Sequence, residues 1–566
     1  VTDYADGSNG SRSHVEQVKE ASRGLRGSLR TELAAATDRF TEDDTIVLKH
    51  HGIYQQDDRD ARRDRSAGKG KAYSFMIRCK LPAGALTREQ YLALDDVATR
   101  YANDSLRITT RQDIQLHGTL KHHLQATLRA MNAQLVTTLG GCGDVVRNFM
   151  ACPAPLADRT RSRIQELARS LSDALLPRSP AYHEIWLDGE DVTPQPVPEP
   201  LYGATYLPRK FKCGFAFPGD NCIDVYTQDI GLVPVLEADA VAGFVVLAGG
   251  GLGMTHGKTQ TFPRLADPIT FVEPDRLLPT VEEIVRIQRD YGDRKNRKHA
   301  RMKYLIEDWG VPRFRAELER RLGQSLAPAR PLEWRGEPDH LGWHRQADGR
   351  LFLGVWVENG RIRDDAAIGR KTAFRTLLET FAFGVRLTPQ QNILFTGIAD
   401  HERSVVEAIL EHFGIVPVER LSNALRYSMA CPAMPTCGLA VSEAERALPT
   451  VIRELEAELA ALGLAEETLS IRMSGCPNGC SRPFIGDIGF VGRTLGKYQI
   501  YVGGDTAGTR LNAPYADLVP VGQLTATVRP LLVLYRSRRL PGEGFGDFCN
   551  RLGVEGLREA ALQTVA

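Results

Sequence analysis

The chain reads as an α+β protein built around an internal duplication. Two matched pairs of segments and a shared order of elements predict it. LRITTRQDIQLHG (106–118) matches VRLTPQQNILFTG (385–397), and VVRNFMACPAP (145–155) matches ALRYSMACPAM (424–434). Both pairs are offset by 279 residues, so the stretches between them have equal length in the two copies.

Each element follows from local pattern. FMIRCKLPAGALT (75–87) and LFLGVWVENGRIR (351–363) are alternating apolar runs that end in a glycine turn, which predicts strands. REQYLALDDVATRYA and KTAFRTLLETFAF have helical periodicity, the repeated segment follows as a strand, and HHLQATLRAMNAQL and HERSVVEAILEHF give a second helix. Two such halves meeting face to face create a cleft on a pseudo-twofold axis. The copies differ in chemistry: the first carries Arg78, Arg111 and His117 where the second has Gly354, Gln390 and Thr396, and the second carries the clustered cysteines. One half contributes charge and the other thiolates.

Composition bounds the function. At 566 residues, two or three domains are expected. The 71 Lys and Arg nearly cancel the 70 Asp and Glu, which argues against a nucleic-acid or membrane-surface partner and makes any anion site local. The polar, Gly/Ser-rich first dozen residues are expected to be frayed. The amino-terminal stretch has no apolar core of a leader, and no run of eighteen apolar residues follows, so a cytoplasmic protein is expected.

Ten cysteines in so long a chain are too few for a disulfide scaffold. Cys431, Cys437, Cys476 and Cys480 form C-x5-C and C-x3-C within the turn-rich loops CPAMPTCG and GCPNGC. Four thiolates on two stiff loops suit a 4Fe-4S cluster, in which each iron needs one ligand. Zinc competes but usually takes C-x2-4-C knuckles. Cys79, Cys142, Cys152, Cys213, Cys222 and Cys549 lack such pairing and read as structural. In YLPRKFKCGF, Lys210 and Lys212 share one face of an extended segment, with Arg209 and Phe211 on the other. Arg107 and Arg111 share a face if their run is one strand, and Arg147 follows. These cations could be a solvated sheet edge or internal ion pairs. Gathered beside a cysteine loop, they suit a small oxyanion, with Arg bonding in bidentate fashion and Lys supplying charge and protons.

The cysteine spacing, with HGIYQQDDRD, RITTRQ, YLPRKFK and GCPNGC, resembles the sirohaem and 4Fe-4S sulfite and nitrite reductases, above all the haemoprotein (beta) subunits of the NADPH-dependent assimilatory sulfite reductases. The likeness runs from about residue 45 to GEGFGDF near the C-terminus. It implies a parachute-like domain of two ferredoxin-like repeats (71–141 and 342–423) and two larger α/β modules related by a pseudo-twofold axis. Of these, 142–341 would bind sirohaem and anion and 424–566 the cluster, with residues 1–70 wrapping the core. It implies that the four cysteines bind the cluster and that Cys480 also bridges to the sirohaem iron. It further implies an anion pocket of Arg78, Arg147, Lys210 and Lys212, and sirohaem contacts by Arg107, Arg111 and His117, with Asn478 and Arg482 added by proximity to Cys480. The activity implied is six-electron reduction of sulfite to sulfide, with electrons from a flavoprotein subunit (NADPH, FAD, FMN) or, as runner-up, from ferredoxin. Nitrite-reducing relatives have Asn where this chain has Lys212, which favours sulfite. A nitrite reductase of the same family, an iron-sulfur electron carrier and a zinc-stabilised binding protein are the alternatives.

Three further segments carry expectations. The GGGLG of LAGGGLGMTHGKTQ (247–260) lacks the helix that a dinucleotide site needs, and a glycine loop close to sirohaem carboxylates is expected instead. The basic run 289–310 reads as a helix with a solvated face, or, at Arg301 and Lys303, as a second contact to those carboxylates. Tyr54 and Cys142 are brought towards the active site by the family fold, and some relatives carry a Tyr-Cys thioether.

Overall fold

The computed structural model describes residues 12–63, 71–156, 159–179, 181, 186–187, 190–191, 199–238, 240–335 and 339–565. Of the first dozen residues, expected to be frayed, all but Arg12 lie outside this set. Four five-stranded sheets carry the fold, in two matched pairs.

The first pair is the duplication read from the sequence. One sheet runs Ile53–Asp57, Tyr73–Arg78, Ile114–Thr119, Leu106–Ile108, Arg361–Ile362, and its twin runs Gly342–Arg345, Leu351–Val355, Ile393–Ile398, Gly384–Leu387, Ala85–Leu86. The last strand of each sheet comes from the other half, so the halves exchange edges. Helices Arg88–Tyr101 and Leu124–Ala133 serve the first sheet's half, and Arg370–Thr380 and Arg403–His412 the second's. Arg88–Tyr101 starts at Thr87, whose hydroxyl accepts from the Gln90 backbone N–H while the Gln90 side chain answers in a capping box. It buries Tyr91, Leu94, Val97 and Ala98 along one stripe. Side chains of both halves, among them Ile77, Ile114, Phe374 and Phe395, form one continuous core.

The second pair extends the duplication to the larger modules. Met150–Ala151, Cys213–Phe215 and Ile230–Glu237 are parallel neighbours, continued antiparallel by Ala240–Ala248 and Asp267–Val272. Ser428–Ala430, Ile471–Ser474, Ile488–Thr494, Lys497–Val502 and Ala513–Pro520 repeat that order and those directions. Asp229-Ile230-Gly231 and Asp487-Ile488-Gly489 occupy corresponding places 258 residues apart. Hydrogen bonds mark the pseudo-twofold axis. Thr110 Oγ1 donates to the Cys480 carbonyl (2.9 Å) and Gln390 Nε2 to the Cys222 carbonyl (2.7 Å). Arg482 donates to the carbonyls of Thr110 and Pro389, which are repeat counterparts, at 3.2 and 2.9 Å.

Three expectations change. LRITTRQDIQLHG is a hairpin of two strands: Gln112 takes φ +55° at its turn and Thr109 Oγ1 donates to Asp113 (2.7 Å), so Arg107 and Arg111 do not share a strand face. The basic run 289–310 is broken between helices Leu277–Tyr291 and Met302–Leu322. Arg294, Lys295, Arg297, Lys298 and Arg301 lie in or at the end of that break, and three of them pair with acids, Arg297 with Asp144 (2.8 Å), Arg301 with Asp229 (2.8 Å) and Arg294 with Glu16. Strand Ile53–Asp57, from the stretch expected to wrap the core, is hydrogen-bonded along its length to Tyr73–Arg78. Among the described residues no helix is long and apolar enough to cross a membrane.

Candidate active site

The four cysteines meet because two parallel strands end side by side. Cys431 directly follows Ser428–Ala430, and Cys476 follows its neighbour Ile471–Ser474, with Ala430 opposite Met473. Ligands gather at such carboxyl ends of parallel strands. The two loops interlock: Cys431 N–H donates to the Met473 carbonyl (3.1 Å), Gly475 N–H to Cys431 Sγ (3.3 Å), and Asn478 Nδ2 to Cys476 Sγ (3.5 Å). Gly475 is required, since a Cβ there would lie 2.5 Å from the Ala433 methyl and the Ser442 carbonyl. Burial and the neighbouring thiols push Cys431 and Cys437 up and Cys476 up to about 12. Such crowded sulfurs ionise readily only when a metal supplies the positive charge. Cys480 alone of the ten cysteines is exposed.

The cations converge on Cys480. Lys210 and Lys212 are half-buried and alternate with fully buried Phe211, which bridges to Val146, while the chain bends at Pro208 and Arg209 just before them. Burial, then Arg209, Arg147 and Arg301, lower Lys210 to about 7, with Cys480 acting against them. Burial, Arg111, Lys210 and Arg301 hold Lys212 well below the ordinary lysine range. Burial would also lower Arg78, but Cys142, Asp113, Tyr54 and Cys480 outweigh it and raise it. Arg147, likewise raised, reaches the Tyr54 hydroxyl (3.5 Å), and that phenol lies beside the Cys142 thiol, which with burial raises it. Thus Arg78, Arg147, Lys210, Lys212, Tyr54 and Cys142 sit together, with Cys480 on the facing module.

The remaining expected residues are nearby but differently engaged. Arg107 is buried, donating from Nε to Glu445 (3.0 Å) and from Nη2 to the Ala430 carbonyl (2.8 Å). Arg111 donates to Gln228, to the Asn148 carbonyl and to the Cys213 carbonyl, and burial lowers it to about 10. Arg482 pairs with Asp224 across the pseudo-axis. Arg301 forks onto Asp229 (2.8 and 2.9 Å), and Lys303 donates to the carbonyls of Gly251 and Gly253. The glycine loop approaches the cysteine loop itself, Met254 N–H donating to the Pro477 carbonyl (2.8 Å). His117 is buried with neither ring nitrogen hydrogen-bonded, and burial, then Arg361 and Arg107, keep it neutral. Converging thiols, an imidazole without a hydrogen-bond partner and a ring of cations fit a 4Fe-4S cluster beside an anionic tetrapyrrole. Sequence reasoning passed over Glu445 and Asp229, whose arginine partners are remote in sequence. It also passed over the 258-residue offset, for which the repeated Asp-Ile-Gly was the available signal.

Comparison with known proteins agrees with this geometry. The nitrite and sulphite reductase 4Fe-4S domain model matches residues 167–326 and 422–566, and the nitrite/sulfite reductase ferredoxin-like half-domain model matches 67–134 and 344–413. The sulfite reductase (NADPH) hemoprotein beta-component of Staphylococcus saprophyticus is 44% identical over 544 residues, covering 95% of each chain. That of Myxococcus xanthus is 44% identical over 96% of each. The sulfite reductase (ferredoxin) of Synechococcus elongatus is 43% identical over 97% of this chain and 90% of that one. The structure of the Mycobacterium tuberculosis NirA protein shares the fold at a TM-score of 0.78 and 23% identity, over 96% of this chain and 97% of that one. With both halves, both cysteine loops and nearly the whole length accounted for, the chain belongs to the nitrite and sulphite reductase family.

Proposed function

We propose that this chain is the catalytic haemoprotein of an assimilatory sulfite reductase, reducing sulfite to sulfide. The observation that carries the reading is the convergence of Lys210, Lys212 and Arg78 on Cys480, with Arg147 beside Lys210 and Arg78, and with Cys480 itself exposed beside Cys431, Cys437 and Cys476. Cys431, Cys437, Cys476 and Cys480 would hold the 4Fe-4S cluster, with Cys480 the sulfur shared with sirohaem, and His117 would contact a sirohaem carboxylate. When bound, these groups supply the six electrons that take sulfur from +4 to −2.

The chain's residues bind and protonate. Arg78 and Arg147 stay charged at any working pH and neutralise the oxyanion. Oxygen leaves sulfur only as water, so each departing oxygen needs protons. Lys210 and Lys212, with lowered pKa values, release them more easily than an ordinary lysine would. Two lysines suit sulfite over the smaller, singly charged nitrite. Tyr54, beside Cys142 and Arg147, is placed to orient the same anion.

The printed names of the relatives, a beta-component and a ferredoxin enzyme, support an electron donor on a separate protein. Resemblance to the beta-components favours a flavoprotein carrying FAD and FMN and fed by NADPH, with ferredoxin as the second reading, motivated by the Synechococcus elongatus relative. The purified chain should show a Soret band and a red chlorin-like band, and should form sulfide with a reduced viologen. A colourless protein, or broad cluster absorption alone, would overturn the reading. Turnover with each purified donor distinguishes the two partners.

A further inference from the structure

A second constellation of metal-ligand side chains lies outside the cleft. The donor atoms of Cys152, Asp220, Cys222 and His340 all lie within 4.8 Å of one another, and all four residues are buried. Cys152 Sγ is 3.1 Å from Asp220 Oδ2 and 3.5 Å from His340 Nε2, which is 3.3 Å from the same Asp220 oxygen. Ligands around a tetrahedral zinc, with bonds of about 2.0–2.3 Å, stand roughly 3.3–3.8 Å apart. Three remote segments supply the donors: the residue after strand Met150–Ala151, the loop after Cys213–Phe215, and the approach to Gly342–Arg345. His340 takes φ +55°, a left-handed backbone unusual for a residue with a side chain.

The chemistry of the set is specific. Two sulfurs, one imidazole and one carboxylate make a complete zinc shell with no open position, whereas an iron cube needs one sulfur per iron. Two thiolates and a carboxylate leave a zinc centre with one net negative charge. Arg161 supplies the balancing cation, its Nη1 lying 2.7 Å from Cys152 Sγ and 2.8 Å from Asp220 Oδ2.

The position has a precedent within the chain. Cys152 is the repeat counterpart of Cys431, 279 residues on, and Cys222 that of Cys480, 258 residues on. Each half therefore places cysteines at the carboxyl ends of its first two parallel strands. The sequence reading took Cys152 and Cys222 as isolated structural thiols, and the structure corrects this by bringing them together. We propose that Cys152, Asp220, Cys222 and His340 bind one structural zinc ion, which fastens the parallel-strand end of the first half to the strand that opens the second ferredoxin-like sheet. This does not rest on the sulfite reading.

The test uses the full chain with its iron groups in place. Elemental analysis should find one zinc per chain beside the iron, and the zinc X-ray absorption edge should report two sulfurs at about 2.3 Å and two lighter ligands near 2.0–2.1 Å. Cys222→Ser should lower zinc affinity about tenfold or more while the iron content and the red absorption band stay unchanged. Any of four results would overturn the proposal: only trace zinc in iron-replete protein, before and after incubation with zinc; zinc without sulfur ligands; full zinc in Cys222→Ser; or a peptide linking Cys152 to Cys222 by a disulfide. If Cys222→Ser does not fold, stoichiometry and the absorption edge of the unaltered protein decide.

Discussion

At the scale of single residues, protonation governs the cleft. Lys212→Met should keep both iron groups, seen as unchanged Soret and red bands, and lose most sulfide formation, at least tenfold, the ordinary worth of a placed proton donor being about 100-fold or more. Unchanged sulfide production would remove Lys212 from the mechanism. Lys210, lowered to about 7, is charged below that pH and neutral above it. Its attraction for the anion should therefore fade as pH rises through 7, seen as a rising KM for sulfite. Lys210→Arg, charged throughout, should flatten that rise relative to the unaltered protein. These lysines and the four cysteines were legible in sequence because their spacing is local: period two in an extended segment, and short turns between thiols. Arg107 was legible as a cation but not as a structural one, because its partner Glu445 is 338 residues away.

At the scale of elements, the two cysteine loops work only if they touch. Gly475→Ala would drive a methyl into Ala433 and Ser442, and should give a folded chain with less than half the cluster iron, by elemental analysis. Glu445 locks the exchanged strand Arg361–Ile362 to its neighbour by bonding both Arg361 (2.7 Å) and Arg107 (3.0 Å). Burial would raise its carboxyl, but those two guanidinium groups hold it down to about 2, from an ordinary 4.5. That stabilisation is complete above about pH 4.5 and is lost as pH falls through about 2. Glu445→Gln should cost about 3 kcal/mol at neutral pH, and the gap in thermal midpoint should narrow as the pH is lowered from 6 to 3. The basic run 289–310 misled because its charges repeat as on a helix. Side chains break it instead: Asp293 Oδ1 accepts from the backbone of Lys295 and Asn296, and Asn296 Oδ1 from that of Lys298. Such local turns compete with helix and leave little trace in periodicity.

At the scale of the whole molecule, the 279-residue repeat exposed the paired ferredoxin-like halves directly. The repetition of the larger modules was hidden, because there the backbone order persists while most side chains have diverged. The cleft was legible as an expectation, since like charge on one copy and thiols on the other needed only apposition. The exchange of edge strands was not, for two-residue strands carry no signature of their own. That exchange bears on how the chain is made. Leu106–Ile108 leaves the ribosome with one flank bare, and its closing partner Arg361–Ile362 is synthesised about 250 residues later, roughly 12–50 s at ordinary translation speeds. Throughout that interval the nascent sheet offers a sticky border to any neighbouring chain. Heterologous yield should therefore depend on holding chaperones during synthesis more than on the stability of the finished protein, and co-expressing them should raise the soluble fraction without changing the melting point.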